Sequence, residues 1–387
     1  MIRKHFVYNI WALTVLLSLL TSCSDSDYTD FIPSNCTAVI SVKTTSMSGE
    51  GSPFNEIRKT FSDNNEELAG IDATKDILLF ETPDGTLGMC AALSDEGDFG
   101  DFLQKLKTEG NTDNFVERDG YTFCCLKKSW IVGYNKSAVI VLGPILASDR
   151  ARTVRRITAW LNQDESASIK HSPLWEHLQE AQSDIRMVAQ SSTLPEQIAA
   201  ALSLGAPKGT DPDDILIEAE ITFSDNTMHL KGMPCSYNVN VKQSLQKAQT
   251  IYRKLTTDWN TQMDAKAFAG IFMNVNGEEL MPYLHNNKAL NTMLLGTDAY
   301  DKIRDNKEEM AILLSPNGKA TDDKNMTAEV RNLPNGKTTS EEHLVVVLNL
   351  GAIGNSASDK DNIIPLLAGT KRIIYTLKAD SVNDKAN

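Results

Sequence analysis

Six cysteines, six histidines and a few serine–lysine and glycine–lysine pairs are the side chains of this 387-residue chain that could do covalent or metal chemistry. Most fail on spacing. Gly336-Lys337-Thr338 has the form of the end of a phosphate-binding loop, but Arg331 stands where the first glycine of that loop must be. Ser244 and Lys247 have the spacing of the penicillin-binding-protein nucleophile, and Ser224-Asp225-Asn226 matches a second element of that pattern. Their order is reversed and no Lys-Thr-Gly occurs, so both read as ordinary helix and turn positions. No Gly-x-Ser-x-Gly marks a hydrolase nucleophile. His171 and His177 are six apart, off the same-face spacing of a helix, and no cysteine stands beside a histidine at zinc-finger spacing. Asp25-x-Asp27 begins like a calcium loop, but Asp30 occupies the glycine position and Cys36 the twelfth. The sequence therefore nominates no catalytic residue, no metal ligand and no cofactor-binding residue.

Cys23 is the exception. Arg3 and Lys4 form a basic head, Phe6 to Leu20 is largely apolar, and small residues follow at Thr21 and Ser22. That order is the signal-peptide pattern. Its strongest apolar segment, Ile10 to Leu20, is 11 residues long, about half of what a permanent spanning helix requires. Leu20-Thr21-Ser22-Cys23 resembles the bacterial lipobox. The chemistry requires a thiol at the last position, because its sulfur takes the diacylglyceryl group as a thioether. The expectation is cleavage before Cys23, lipid attachment there, and a membrane partner held through that lipid, since two or more acyl chains anchor far better than one.

The whole chain carries 38 basic and 51 acidic side chains, net −13, and loss of Arg3 and Lys4 with the leader makes this −15. Such a balance repels nucleic acid and anionic lipid headgroups and excludes them as electrostatic partners. Five cysteines remain after the cut: Cys36, Cys90, Cys124, Cys125 and Cys235. An odd number leaves at least one unpaired. Adjacent Cys124 and Cys125 in a strand point to opposite faces and cannot pair with each other. Most are expected as small buried hydrophobes, with room for one bridge in an oxidising compartment.

The elements that must hold these residues are legible from turn chemistry. Asp84-Gly85, Asp119-Gly120, Asn317-Gly318 and Asn335-Gly336 each lie near apolar or alternating runs. The pattern predicts strands at 77–80, 87–92, 121–126, 130–134 and 138–142, then a hairpin 215–223/228–233 turning at Ser224-Asp225-Asn226. It predicts further strands at 310–314, 326–333 and 343–350. Helices follow from Phe99, Phe102, Leu103 and Leu106, and from Val154, Ile157 and Leu161. The longest is expected over 241–263, with Leu245, Ala248, Tyr252, Leu255 and Trp259 in one stripe. Cys36 to Val42 and Ala267 to Met273 each precede a short helix (53–61 and 278–285) and then a strand, which suggests an internal duplication. The expected fold class is α+β, with mostly antiparallel meander sheets packed with helices and two related halves. The divisions are a leader at 1–22, a lipidated N-terminus and tether at 23–34, domains at 35–240 and 241–380, and a polar tail at 381–387.

Tyr28-Thr29-Asp30-Phe31-Ile32-Pro33-Ser34-Asn35, followed by Ala38-Val39-Ile40-Ser41-Val42, resembles an uncharacterised family of Bacteroidetes-type lipoproteins. The resemblance implies an α+β fold with related halves, an unknown function, and no catalytic residues to carry over. Asp25 and Asp27 fit loosely the acidic export signal of that group, while Ser24 and Ser26 interrupt it, which leaves the periplasmic and surface-exposed faces both open. The expected function is non-enzymatic binding of a protein or glycan ligand by a lipid-anchored protein of the cell envelope, placed in the outer membrane. Trp130, Tyr134, Trp160, Trp175 and Trp259 are the candidate platform. A scaffold role in an envelope complex is the alternative, and a hydrolase whose site only folding assembles stands third.

Overall fold

The computed structural model describes residues 27–45, 69–180, 183–194, 196–287, 290–291, 294, 298–316, 326–334, 336, 341–350 and 370–377. Tight turns build its sheet. β2 (Ile77–Glu81) and β3 (Leu87–Ala92) meet around Gly85 at φ 76°. β4 (Val116–Arg118) and β5 (Tyr121–Leu126) meet at Asp119-Gly120, with φ 55° and 81°. Both central residues in the left-handed region make a turn whose twist matches the strands it joins. β5 continues through β6 (Trp130–Tyr134) into β7 (Ala138–Gly143), and β7 folds back onto β3. This is the expected meander. β9 (Leu216–Ser224) and β10 (Thr227–Cys235) form the expected hairpin, with Asp225 and Asn226 at φ 47° and 59°.

β1 (Ala38–Val42) lies between β2 and β8 (Ile185–Gln190). β11 (Ala269–Asn274) lies in the same way between β12 (Glu309–Pro316) and β14 (Leu344–Asn349), with β13 (Met326–Asn332) outside β12 and β15 (Arg372–Leu377) beyond β14. All fifteen described strands form one open sheet, ordered β13-β12-β11-β14-β15-β10-β9-β8-β1-β2-β3-β7-β6-β5-β4. Every pair is antiparallel except β10 with β15. The mixed helix-and-strand class and the antiparallel character thus match expectation, with one wide sheet where several were expected. It runs on across the proposed division at residue 240, which falls in the first turn of the helix after β10.

Helices cover both faces. α1 (Glu96–Thr108) buries Phe99, Phe102 and Leu103 in the largest core, while α2 (Arg150–Leu161) and α3 (Pro173–Glu180) bury Ile157, Leu161, Leu174 and Leu178 in a second core on the other face. α4 (Glu196–Leu202), α5 (Val239–Gln249), α7 (Gly277–Asn286) and α8 (Ala299–Asp305) join the first core. The short α6 (Trp259–Gln262) brings Trp259 against a third.

Two expectations need correction. The long helix at 241–263 is broken: α5 ends at Gln249 and α6 starts at Trp259, so Tyr252 and Leu255 lie on the chain between them. Arg253 bridges Asn274 and the backbone amides of Thr256 and Thr257 donate to the Glu309 carboxylate. Those tertiary partners outbid the helical pattern. The stretch read as a tether is also partly built into the body. Tyr28–Phe31 is a 3-10 turn capped by Asp27, Tyr28 to Ile32 is buried, and Lys170 pairs with Asp27 and Asp30 at 3.2 and 2.8 Å. The helix expected at 53–61 and the Asn317-Gly318 turn lie outside the described residues.

Candidate functional site

Leu20, Thr21, Ser22 and Cys23, the residues proposed for processing and lipid attachment, lie outside the described residues. The five other cysteines are buried and free, with Cys124 in one core and Cys125 in the core on the opposite face. The aromatic platform is dispersed. Tyr134 is buried and Trp130 half-buried at the first core, Trp160 and Trp175 are half-buried at the second, and Trp259 is half-buried at the third.

The fold instead gathers three chemistry-bearing side chains that the sequence keeps far apart. Ser172 and Pro173 start α3: the Ser172 hydroxyl accepts from the Leu174 amide at 3.2 Å, and proline at the first helical position sacrifices no hydrogen bond. Leu174 and Leu178, four apart, then face the sheet, and His177 lies beside them. β9 alternates, so Leu216 and Glu218 share the face under α3 while Ile217 and Ala219 face the other core. In the β9–β10 register Cys235 opposes Leu216 and Met233 opposes Glu218, which sets the Cys235 thiol diagonally beside the Glu218 carboxylate on that face.

His177 Nδ1 lies 2.5 Å from Glu218 Oε1, Cys235 Sγ donates to the same oxygen at 2.9 Å, and Sγ and Nδ1 are 3.8 Å apart. Cys235 is buried, and His177 and Glu218 retain 12% and 24% side-chain exposure. The hydrogen bond to Glu218 raises the His177 pKa against the opposing effect of burial. Burial pulls Glu218 upward, but its bonds from His177 and Cys235 outweigh this and hold it below the ordinary glutamate value. Burial, then the Glu218 charge, pushes the Cys235 thiol far up. A nucleophilic cysteine works as its thiolate, so this trio in its hydrogen-bonded form is not an activated cysteine–histidine pair. It does offer one nitrogen, one oxygen and one sulfur donor, all within 4.8 Å of one another.

Spacing could not have found it, since Cys235 is 58 residues from His177 and 17 from Glu218. No local signal marked it either: the Leu216 face of β9 continues through Glu218, Glu220, Thr222 and Ser224, so Glu218 reads as one of a polar series. A second polar cluster, Asp76 with Arg186 at 2.8 Å and Ser41 at 2.6 Å, ties β1 and β8 to the segment before β2, and Tyr28 donates to the Asp76 carbonyl. Its groups satisfy one another and fasten the N-terminal turn.

Comparison with curated proteins finds no match. A solved structure described as "Structure of crystal form IV of TP0453" aligns over 51% of this chain and 76% of its own, at 11% identity and a TM-score of 0.31, which carries no argument. The family model for DUF4836, a domain of unknown function, matches residues 54–313, and the chain belongs to that family.

Proposed function

We propose that this chain is a lipid-anchored protein of the bacterial cell envelope that binds a protein or glycan ligand without catalysing a reaction. The observation that carries the proposal is the basic head, apolar run and Leu20-Thr21-Ser22-Cys23 at the start of the chain. The position of Asp27 supports it. Asp27 caps the buried turn Tyr28–Phe31 and stands four residues after Cys23, a span of at most about 14 Å, so a lipid on Cys23 would hold that turn close to the membrane. No helix among the described residues is long and apolar enough to cross a membrane.

The two blocks of the sheet also read as related halves. β3-β2-β1-β8-β9 and β13-β12-β11-β14-β15 repeat one antiparallel order, in which the first strand of each half sits third. The scaffold reading draws support from the open sheet, whose outer strands among the described residues are β4 and β13 and can accept a partner strand.

Metabolic labelling with a clickable fatty-acid analogue tests the anchor. The wild-type chain should carry label and fractionate with the outer membrane, while Cys23→Ala should lose label and accumulate in precursor form. Undiminished labelling of Cys23→Ala overturns the proposal, and protease shaving of intact cells then assigns the face.

A further inference from the structure

We infer that His177, Glu218 and Cys235 form a binding site for a single divalent ion of the zinc class. Nothing in the inference depends on the lipid anchor.

The donor set is the first argument. One imidazole, one carboxylate and one thiol suit zinc and cobalt, whereas calcium and magnesium take oxygen ligands. The second is rigidity. Glu218 and Cys235 stand on adjacent antiparallel strands in the middle of the sheet, and His177 is held on a helix whose Leu174 and Leu178 are buried against β8 and β9.

Distance is the third. Bonds of zinc length place tetrahedral N, O and S donors about 3.3–3.6 Å apart. Sγ and Nδ1 are 3.8 Å apart, close to that spacing already. Glu218 Oε1 sits nearer to each, at 2.5 and 2.9 Å, and must withdraw by less than about 1 Å. Its side chain keeps 24% exposure, against 12% for His177, and Cys235 is buried.

One carboxylate oxygen receiving protons from both a thiol and an imidazole is the protonated counterpart of a metal centre. On binding, the ion takes the place of those protons. Sγ and Nδ1 of the imidazolium each release a proton to solvent, the ring keeps the one on Nε2, and Nδ1, Oε1 and Sγ each donate a lone pair.

The surroundings fit. Glu180 lies three residues after His177 on α3, hence on the same helical face, and its charge is felt at both His177 and Cys235. Three protein donors and a fourth position near solvent is the open form of a zinc site.

Cobalt titration of the full, detergent-solubilised chain under reducing conditions tests the site. One Co²⁺ per chain should bind with the visible bands of four-coordinate cobalt and a near-ultraviolet thiolate-to-cobalt band, and Zn²⁺ should displace it. Cys235→Ser should abolish the thiolate band and weaken binding at least tenfold. Cys90→Ser, a buried thiol elsewhere in the same core, should leave the spectrum unchanged. His177→Gln, at a position that keeps 12% side-chain exposure, serves as the second variant should Cys235→Ser lose its native circular dichroism, and it should also weaken binding at least tenfold. Absence of a thiolate band in the wild-type chain overturns the site, as does a band that survives Cys235→Ser or wild-type affinity in His177→Gln. Those results would leave the trio as a mutually satisfied hydrogen-bonded cluster.

Discussion

Glu309 begins β12 with 1% of its surface exposed, and its two oxygens accept from the amides of Thr256 and Thr257 and from the Thr256 hydroxyl. Burial alone would raise its pKa; these bonds more than offset that and hold it below the ordinary value of 4.5. A carboxylate depressed in the folded state stabilises fully above its unfolded pKa and loses that contribution as pH falls through the folded value. Glu309→Gln should therefore cost about 1.5–3 kcal/mol at neutral pH. In urea melts at several pH values, the gap between variant and wild type should narrow on acidification below 4.5; a gap that is constant or widens would contradict this. The thiols give a second residue-scale test. Burial pushes Cys36 and Cys124 up to about 12 and raises Cys90 and Cys125 as well. Iodoacetamide at mildly alkaline pH should leave all four unmodified in the native chain and alkylate them in urea, as read by mass spectrometry.

At the scale of elements, the β5–β6 turn places Lys127 and Lys128 at φ 47° and 65°, a left-handed pair that favours asparagine and glycine. Replacing them by Asn and Gly should stabilise the chain by about 1 kcal/mol, seen as a higher urea midpoint with an unchanged slope. Leu178 is wholly buried where α3 meets the sheet, so Leu178→Ala should cost about 2–5 kcal/mol in the same measurement. The meander and the β9–β10 hairpin were legible because their turn residues and two-residue alternation are local signals. β8 and β15 were not singled out. Arg186 in β8 owes its place to Asp76, 110 residues away, and no turn signal joins β15 to either neighbour. The broken helix after Gln249 failed for the complementary reason: an apolar stripe continued through Leu255 and Trp259, but the backbone there had better partners at Glu309 and Asn274.

For the whole molecule, β15 is the joint. It is the last described strand, yet it is inserted between β14 and β10 and joins them with the one parallel pair among the described strands. Ending the chain before Arg372 should strip hydrogen-exchange protection from β10 and β14 while β5, β6 and β7 keep theirs; protection unchanged in β10 would refute this role. The sequence by itself determined what is local: the order of basic head, apolar run and Leu20-Thr21-Ser22-Cys23, the acidic charge, the hairpins, and the opposite facing of Cys124 and Cys125, each set by neighbours a few residues apart. The tertiary structure alone decided that strands on both sides of residue 240 share one sheet, that residues 28–32 belong to the body, and that His177, Glu218 and Cys235 meet. Those contacts depend on strand register and helix placement across the sheet, and no local periodicity encodes which distant strands will pair.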